Sequence, residues 1–134
     1  MIPQQETFNT VVLGIVKQGG PSRKPLEEPM TGSCCRYRDD EGRKCAIGQI
    51  IPDELYDPAI EGAVLWESGQ SNDDERGNKL AKIIAMTGHD TRLLSRLQVF
   101  HDSSGDGPEF MSSFLKLCRD YAATHNLIMP ELPK

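Results

Sequence analysis

Between Gln4 and Gln18 the apolar residues Phe8, Val11, Val12, Ile15 and Val16 recur at the three- and four-residue steps of one helical face, and polar residues fill the other. That pattern predicts an amphipathic helix ended by Gly19 and Gly20. A second helix is predicted from about Asp74 to Thr87, with Leu80, Ile83, Ile84 and Met86 apolar and Gly88 as its stop. A third, over about 91–103, follows a capping Asp90 and carries Leu93, Leu94, Leu97 and Phe100. A fourth, over about 108–125, starts at Pro108 and buries Phe110, Phe114, Leu117, Cys118 and Tyr121.

One stretch reads differently. Within residues 33–56, Asp39, Asp40, Glu41 and Gly42 make a polar turn, and Gly42 can take the left-handed conformation that a bulged hairpin loop needs. Pairing Asp39 with Arg43 sets Tyr37 opposite Cys45 and Cys35 opposite Ile47 on one apolar face, with Arg36, Arg38, Lys44 and Cys34 on the other. Neither the hairpin nor the helices can bury an apolar face alone. The expected fold class is therefore α+β: a small antiparallel hairpin or sheet packed on one face by four helices. Short helical turns are expected at Asp53 and Asp57, each beside a proline. Residues 21–33, with Pro21, Pro25 and Pro29, read as a surface connector, residues 62–74 as a loop holding the only tryptophan, Trp66, and residues 128–134 as a loose tail.

Length and charge narrow the classes. A chain of 134 residues is one domain with room for a single core. Its net charge of −5, with both signs interspersed, argues against a nucleic-acid backbone as the main partner. No apolar run approaches the roughly 18 residues that cross a bilayer, and no basic stretch followed by an apolar run opens the chain, so no membrane association and a cytoplasmic location are expected. In that compartment Cys34, Cys35, Cys45 and Cys118 are core residues, ligands or reactive groups rather than disulfides.

The blocks Cys35-Arg-Tyr37, Gly42-Arg-Lys-Cys-Ala-Ile-Gly48, Ile51-Pro-Asp-Glu-Leu-Tyr56, Glu61-Gly62 and Leu97-Gln-Val-Phe-His-Asp102 resemble those of a family of small uncharacterised proteins from phages, prophages and bacterial genomes. The resemblance runs from residue 35 to the last helix and leaves out the segment before residue 33 and the loop around Trp66. It implies a phage-type accessory protein that acts by binding another protein, as an inhibitor of a host or anti-phage defence component. A homodimer is the commonest assembly if one forms.

Candidate chemistry is sparse. Cys45 as a thiol nucleophile, His101 as base and Asp102 or Asp53 as the group orienting the imidazole would suit a small hydrolase or transferase. The competing reading makes the cysteines small core residues and His101 a buried hydrogen-bonding tie between two elements. Cys34, Cys35 and Cys45 with Cys118, His101 or His125 supply no C-x-x-C pair, so no metal is expected. No phosphate-cradling glycine loop is present, and no cofactor is expected. The basic hairpin face, Arg36 and Arg38 with Arg43 and Lys44, could grip RNA weakly, but Asp39, Asp40 and Glu41 offset it. Contacts to a protein partner are expected at Trp66, Asp53, Glu54, Asp57, Glu61, Asp73, Asp74, Arg36 and Arg38, Trp66 being otherwise a side chain folded over a core edge.

Overall fold

A computed structural model describes residues 1–25, 33–105 and 107–133, with Pro25, Ser33 and Cys34 described by their backbone. Most of the expected connector, residues 26–32, lies outside the described residues. Four α-helices dominate: α1 (Gln4–Gln18), α2 (Glu75–Thr87), α3 (Thr91–Ser103) and α4 (Phe110–Thr124). Each buries most of the stripe that its sequence marks, although Met86 of α2 is exposed and Val16, Phe100, Leu117 and Tyr121 are only partly buried. α2 and α3 begin at Asp74 and Asp90, whose carboxylates accept the backbone N–H of Gly77 and Leu93. α3 is the central element, packing on α1, α4 and a 3-10 turn at Ile47–Ile50. Phe8, Val12, Leu94, Leu97, Phe114 and Cys118 are sealed at its contacts in one continuous core. No helix is long and apolar enough to cross a membrane.

The α+β architecture with a helix-covered hairpin does not form; the protein is mainly helical. Extended pairing among the described residues is a three-residue antiparallel ladder between β1 (Arg23–Pro25) and β2 (Ser33–Cys35), plus a single bridge from Arg38 to Lys44. The turn itself exists: Gly42 has φ 82°, and the Asp39 N–H donates to the Arg43 carbonyl at 2.9 Å. Beyond Lys44 the chain leaves the hairpin, so Cys35 pairs with Arg23 instead of facing Ile47.

Two physical causes account for the departure. Cys45, Ala46, Ile47 and Gly48 are buried consecutively, which a strand with one wet face cannot achieve but a tight turn sunk among helices can. The backbone groups a second strand would have satisfied are taken by helix side chains instead. Gln18 of α1 accepts the Lys44 N–H at 2.9 Å and donates to its carbonyl at 2.7 Å, and Gln98 of α3 accepts the Ile47 N–H at 3.0 Å. Gly48 makes the close approach possible, since a Cβ there would lie 2.1 Å from the Tyr37 carbonyl oxygen.

After α4, Gln5 donates to the Ile128 carbonyl and accepts its N–H, and Met129 and Leu132 pack against the core, which ties down the start of the tail.

Candidate functional site

The last turn of α3 carries His101 and Asp102, and the β1–β2 ladder lays Arg23 and Cys35 beside it. His101 is fully buried, and its Nε2 accepts the Ser22 backbone N–H at 3.1 Å. An accepting Nε2 puts the ring proton on Nδ1, which then donates to Asp102 Oδ1 at 3.0 Å. Asp102 also accepts from Gln98 Nε2 at 2.8 Å and from the Cys35 thiol. Burial by itself would raise its carboxyl, but the bonds from His101, Cys35 and Gln98 outweigh that and hold it below the ordinary range. On the other side of the thiol, Arg23 Nη1 lies 3.2 Å from Cys35 Sγ. Its Nη2 donates to the carbonyls of His101, Asp102 and Gly105, a guanidinium set on the negative end of α3.

One ligand atom each from Cys35, His101 and Asp102 lies within 4.8 Å of the others, close enough to surround a metal ion. The hydrogen bonding does not suit one. Coordination through Nδ1 would move the ring proton to Nε2, against the Ser22 N–H in a sealed site, and the Arg23 guanidinium already sits on the sulfur. For the same reason Nε2 has no lone pair to spare for a thiol proton. The cluster is a fixed chain of hydrogen bonds with one accessible thiol.

That thiol opens into a cavity of about 320 Å³. Its buried wall is Tyr37, Cys45, Ala63 and Leu65, and its polar wall includes Gln98, Asp102 and Arg36. The same cavity is lined by Val64, Trp66 and Val99, which are 53%, 49% and 50% exposed. An inner wall that is sealed and a rim that is apolar and half bare describe a depression shaped for an apolar group. The loop bearing Trp66 is well held. The Trp66 backbone N–H donates to the Gln70 carbonyl at 2.9 Å, Asn72 Oδ1 accepts the Val64 N–H at 2.9 Å, Ser71 Oγ donates to the Val64 carbonyl, and Thr91 Oγ1 donates to the Glu67 carbonyl at 2.9 Å.

The residues picked from sequence scatter around this site. Cys45 lines the cavity yet is 1% exposed; burial pushes its thiol far up, the carboxylates of Asp102 and Glu61 push the same way, and Sγ accepts the Gly48 N–H. It presents no thiolate near neutral pH, and the cysteine that meets Asp102 is Cys35. Glu61 is an internal anchor: it accepts the N–H groups of Tyr37 and Arg38 and the hydroxyl of Tyr56, and lies 3.7 Å from Arg36. Arg38 lies over the Tyr56 ring and pairs with Asp53, and Asp57 caps Ala59 and pairs with Lys79. Asp74 is occupied as the cap of α2, while Glu54 and Asp73 stay exposed. Each basic residue of the expected hairpin patch has an acidic neighbour: Arg36 has Glu61, Arg38 and Lys44 share Asp53, and Arg43 has Asp39.

Sequence reasoning missed Val64, Val99, Gln98 and Arg23. Two of them left a trace. Val99 is an apolar residue off the buried stripe of α3, and Val64-Leu65-Trp66 is an apolar triplet of which the fold buries only Leu65.

Comparison of the chain with protein-family models, curated proteins and solved structures finds no match to any of them, so the site is read from its own chemistry.

Proposed function

We propose that this protein acts by binding another protein, and that the cavity rimmed by Val64, Trp66 and Val99 receives an apolar side chain of that partner. The observation that carries the reading is the gathering of these three half-bare apolar side chains on one depression with a sealed inner wall. Interface energy concentrates where an aromatic anchor meets a desolvated pocket, and a tryptophan held by a braced loop loses little conformational freedom on binding. The net charge of −5 for the chain adds rate and partner selection more than affinity. The resemblance to phage and prophage proteins directs the search to host and anti-phage defence components, with inhibition as the outcome of binding.

The test is capture from host extract on immobilised protein, run beside Trp66→Ala and Val99→Asp. A partner retained in stoichiometric amount by the parent and lost by both variants, with their thermal unfolding unchanged, supports the reading. A partner retained equally by both variants, or none retained by the parent, sinks it. Dissociation of a homodimer by the same substitutions would identify a second copy of this chain as the occupant.

A further inference from the structure

A second cavity, of about 470 Å³, shares no lining residue with the first. α3 supplies Arg92 and Arg96, one turn apart; α4 and its C-cap supply Tyr121 and His125; Gln4 opens α1 beside them. The guanidinium groups are aimed by one carboxylate, with Glu67 lying 3.6 Å from Arg92 Nε and 3.1 Å from Arg96 Nε. Both contacts are made through Nε. The rings of Tyr121 and His125 stack 3.8 Å apart at 11°, and Phe100 meets Tyr121 edge-on at 5.8 Å. Asp90, the other acid nearby, is committed to capping Leu93 and to Gln4 Nε2.

We propose that this cavity binds a purine nucleoside 5′-monophosphate, its phosphate taken by Arg92 and Arg96 and its base laid on the outer face of His125. Arginine presents paired donors that match phosphate oxygens, and with Glu67 shared between them the two guanidinium groups still carry one net positive charge toward a phosphomonoester. Stacked aromatic rings offer a flat face that any base can cover, purines most fully. The volume falls within the range of roughly 300 to 1,000 Å³ typical of small-molecule sites.

Calorimetric titration of the full chain with AMP and GMP, beside adenosine, ribose 5-phosphate, inorganic phosphate, O-phosphotyrosine and a short single-stranded RNA without terminal phosphates, tests this. At least one purine nucleotide is expected to bind about tenfold tighter than ribose 5-phosphate, the increment a stacked base supplies. Arg92→Gln with Arg96→Gln is expected to remove tenfold or more, and His125→Ala to remove the base increment while leaving phosphate affinity unchanged. These three side chains are exposed, and circular dichroism checks that the variants fold. No saturable nucleotide binding, nucleotide no tighter than inorganic phosphate, or unchanged affinity in the double arginine variant overturns the site. O-phosphotyrosine binding as tightly as the nucleotide would make it a phosphopeptide site instead, and tighter binding of the RNA a polynucleotide groove. Trp66→Ala leaves this binding intact, so its failure and that of the partner-binding reading are told apart.

Discussion

The imidazole of His101 accepts the backbone N–H of Ser22 through Nε2, and that bond, at 3.1 Å between sealed residues, sets both the ring's tautomer and the place of the β1–β2 ladder against α3. Remove the ring and two things are lost at once: a buried volume in the core and the partner of a backbone donor that water cannot reach. His101→Ala is therefore expected to cost about 3 kcal/mol, combining cavity and orphaned-donor terms. Urea unfolding measures it; a loss under 1 kcal/mol would mean that the ladder is held by something else.

The cysteines should divide by burial. Cys118 is fully buried, which pushes its thiol up to about 12, and Cys45 is pushed higher still by burial and two carboxylates, whereas Cys35 lines an open cavity. In a Cys34→Ser background, Ellman's reagent at pH 8 is expected to titrate Cys35 in the native protein and to reach Cys45 and Cys118 only after unfolding. Early reaction of Cys45 would contradict the sealed inner wall.

Gly77 lies inside α2, where alanine ordinarily stabilises by about 1 kcal/mol. Here a Cβ would stand 2.0 Å from the Asn72 carbonyl oxygen, a backbone atom that cannot swing aside. The sign should reverse, Gly77→Ala losing about 2 kcal/mol. Gly20→Ala, with nothing within 4 Å, serves as the near-neutral control. Equal denaturation midpoints for the two variants would refute the collision.

Burial, then the hydrogen bond to Glu61, pushes the Tyr56 phenol up to about 12. Glu61→Gln should bring its ionisation down toward the ordinary tyrosine range, read by absorbance on alkaline titration. It should also lower stability by about 2 kcal/mol, because the charged acceptor of the Tyr37 and Arg38 N–H groups is gone. An unshifted phenol and unchanged stability would return Glu61 to the surface contacts.

Acid should lower the stability of the protein in two steps. Burial holds the His89 imidazole below its ordinary value, against the pull of Glu6, so its contribution is whole above about pH 6.5 and declines as pH falls through the lowered folded value. Asp39 is a buried carboxylate that burial alone would raise; the Arg43 side chain and the N–H groups of Arg43 and Glu41 bring it below the usual range instead. Its contribution is whole above about pH 4 and is lost below that, as the unfolded chain takes up the proton first. Melting temperatures from pH 7 to pH 2 should fall in that order, and Asp39→Asn should reduce the lower step, to which the lowered carboxyls of Asp102 and Asp90 also contribute. A melting temperature constant down to pH 3 would be incompatible with both groups.

The sequence by itself determined the four helices, their stops and two of their caps. Those depend on residues three or four apart and on the side chain at the boundary, and Asp74 capping Gly77 is settled within one turn. It also determined that His101 is an inward-facing residue beside Asp102. Only the tertiary structure decided what became of the hairpin, because its missing ladder partners are Gln18 and Gln98, separated from the groups they satisfy by 26 and 51 residues. Those same long-range bonds decided that Cys35 and not Cys45 meets the carboxylate of Asp102, and that Glu61 turns inward. Both cavities are likewise spaces between elements distant in the chain, and a periodic pattern shows which face of a helix is buried without showing what stands across from it.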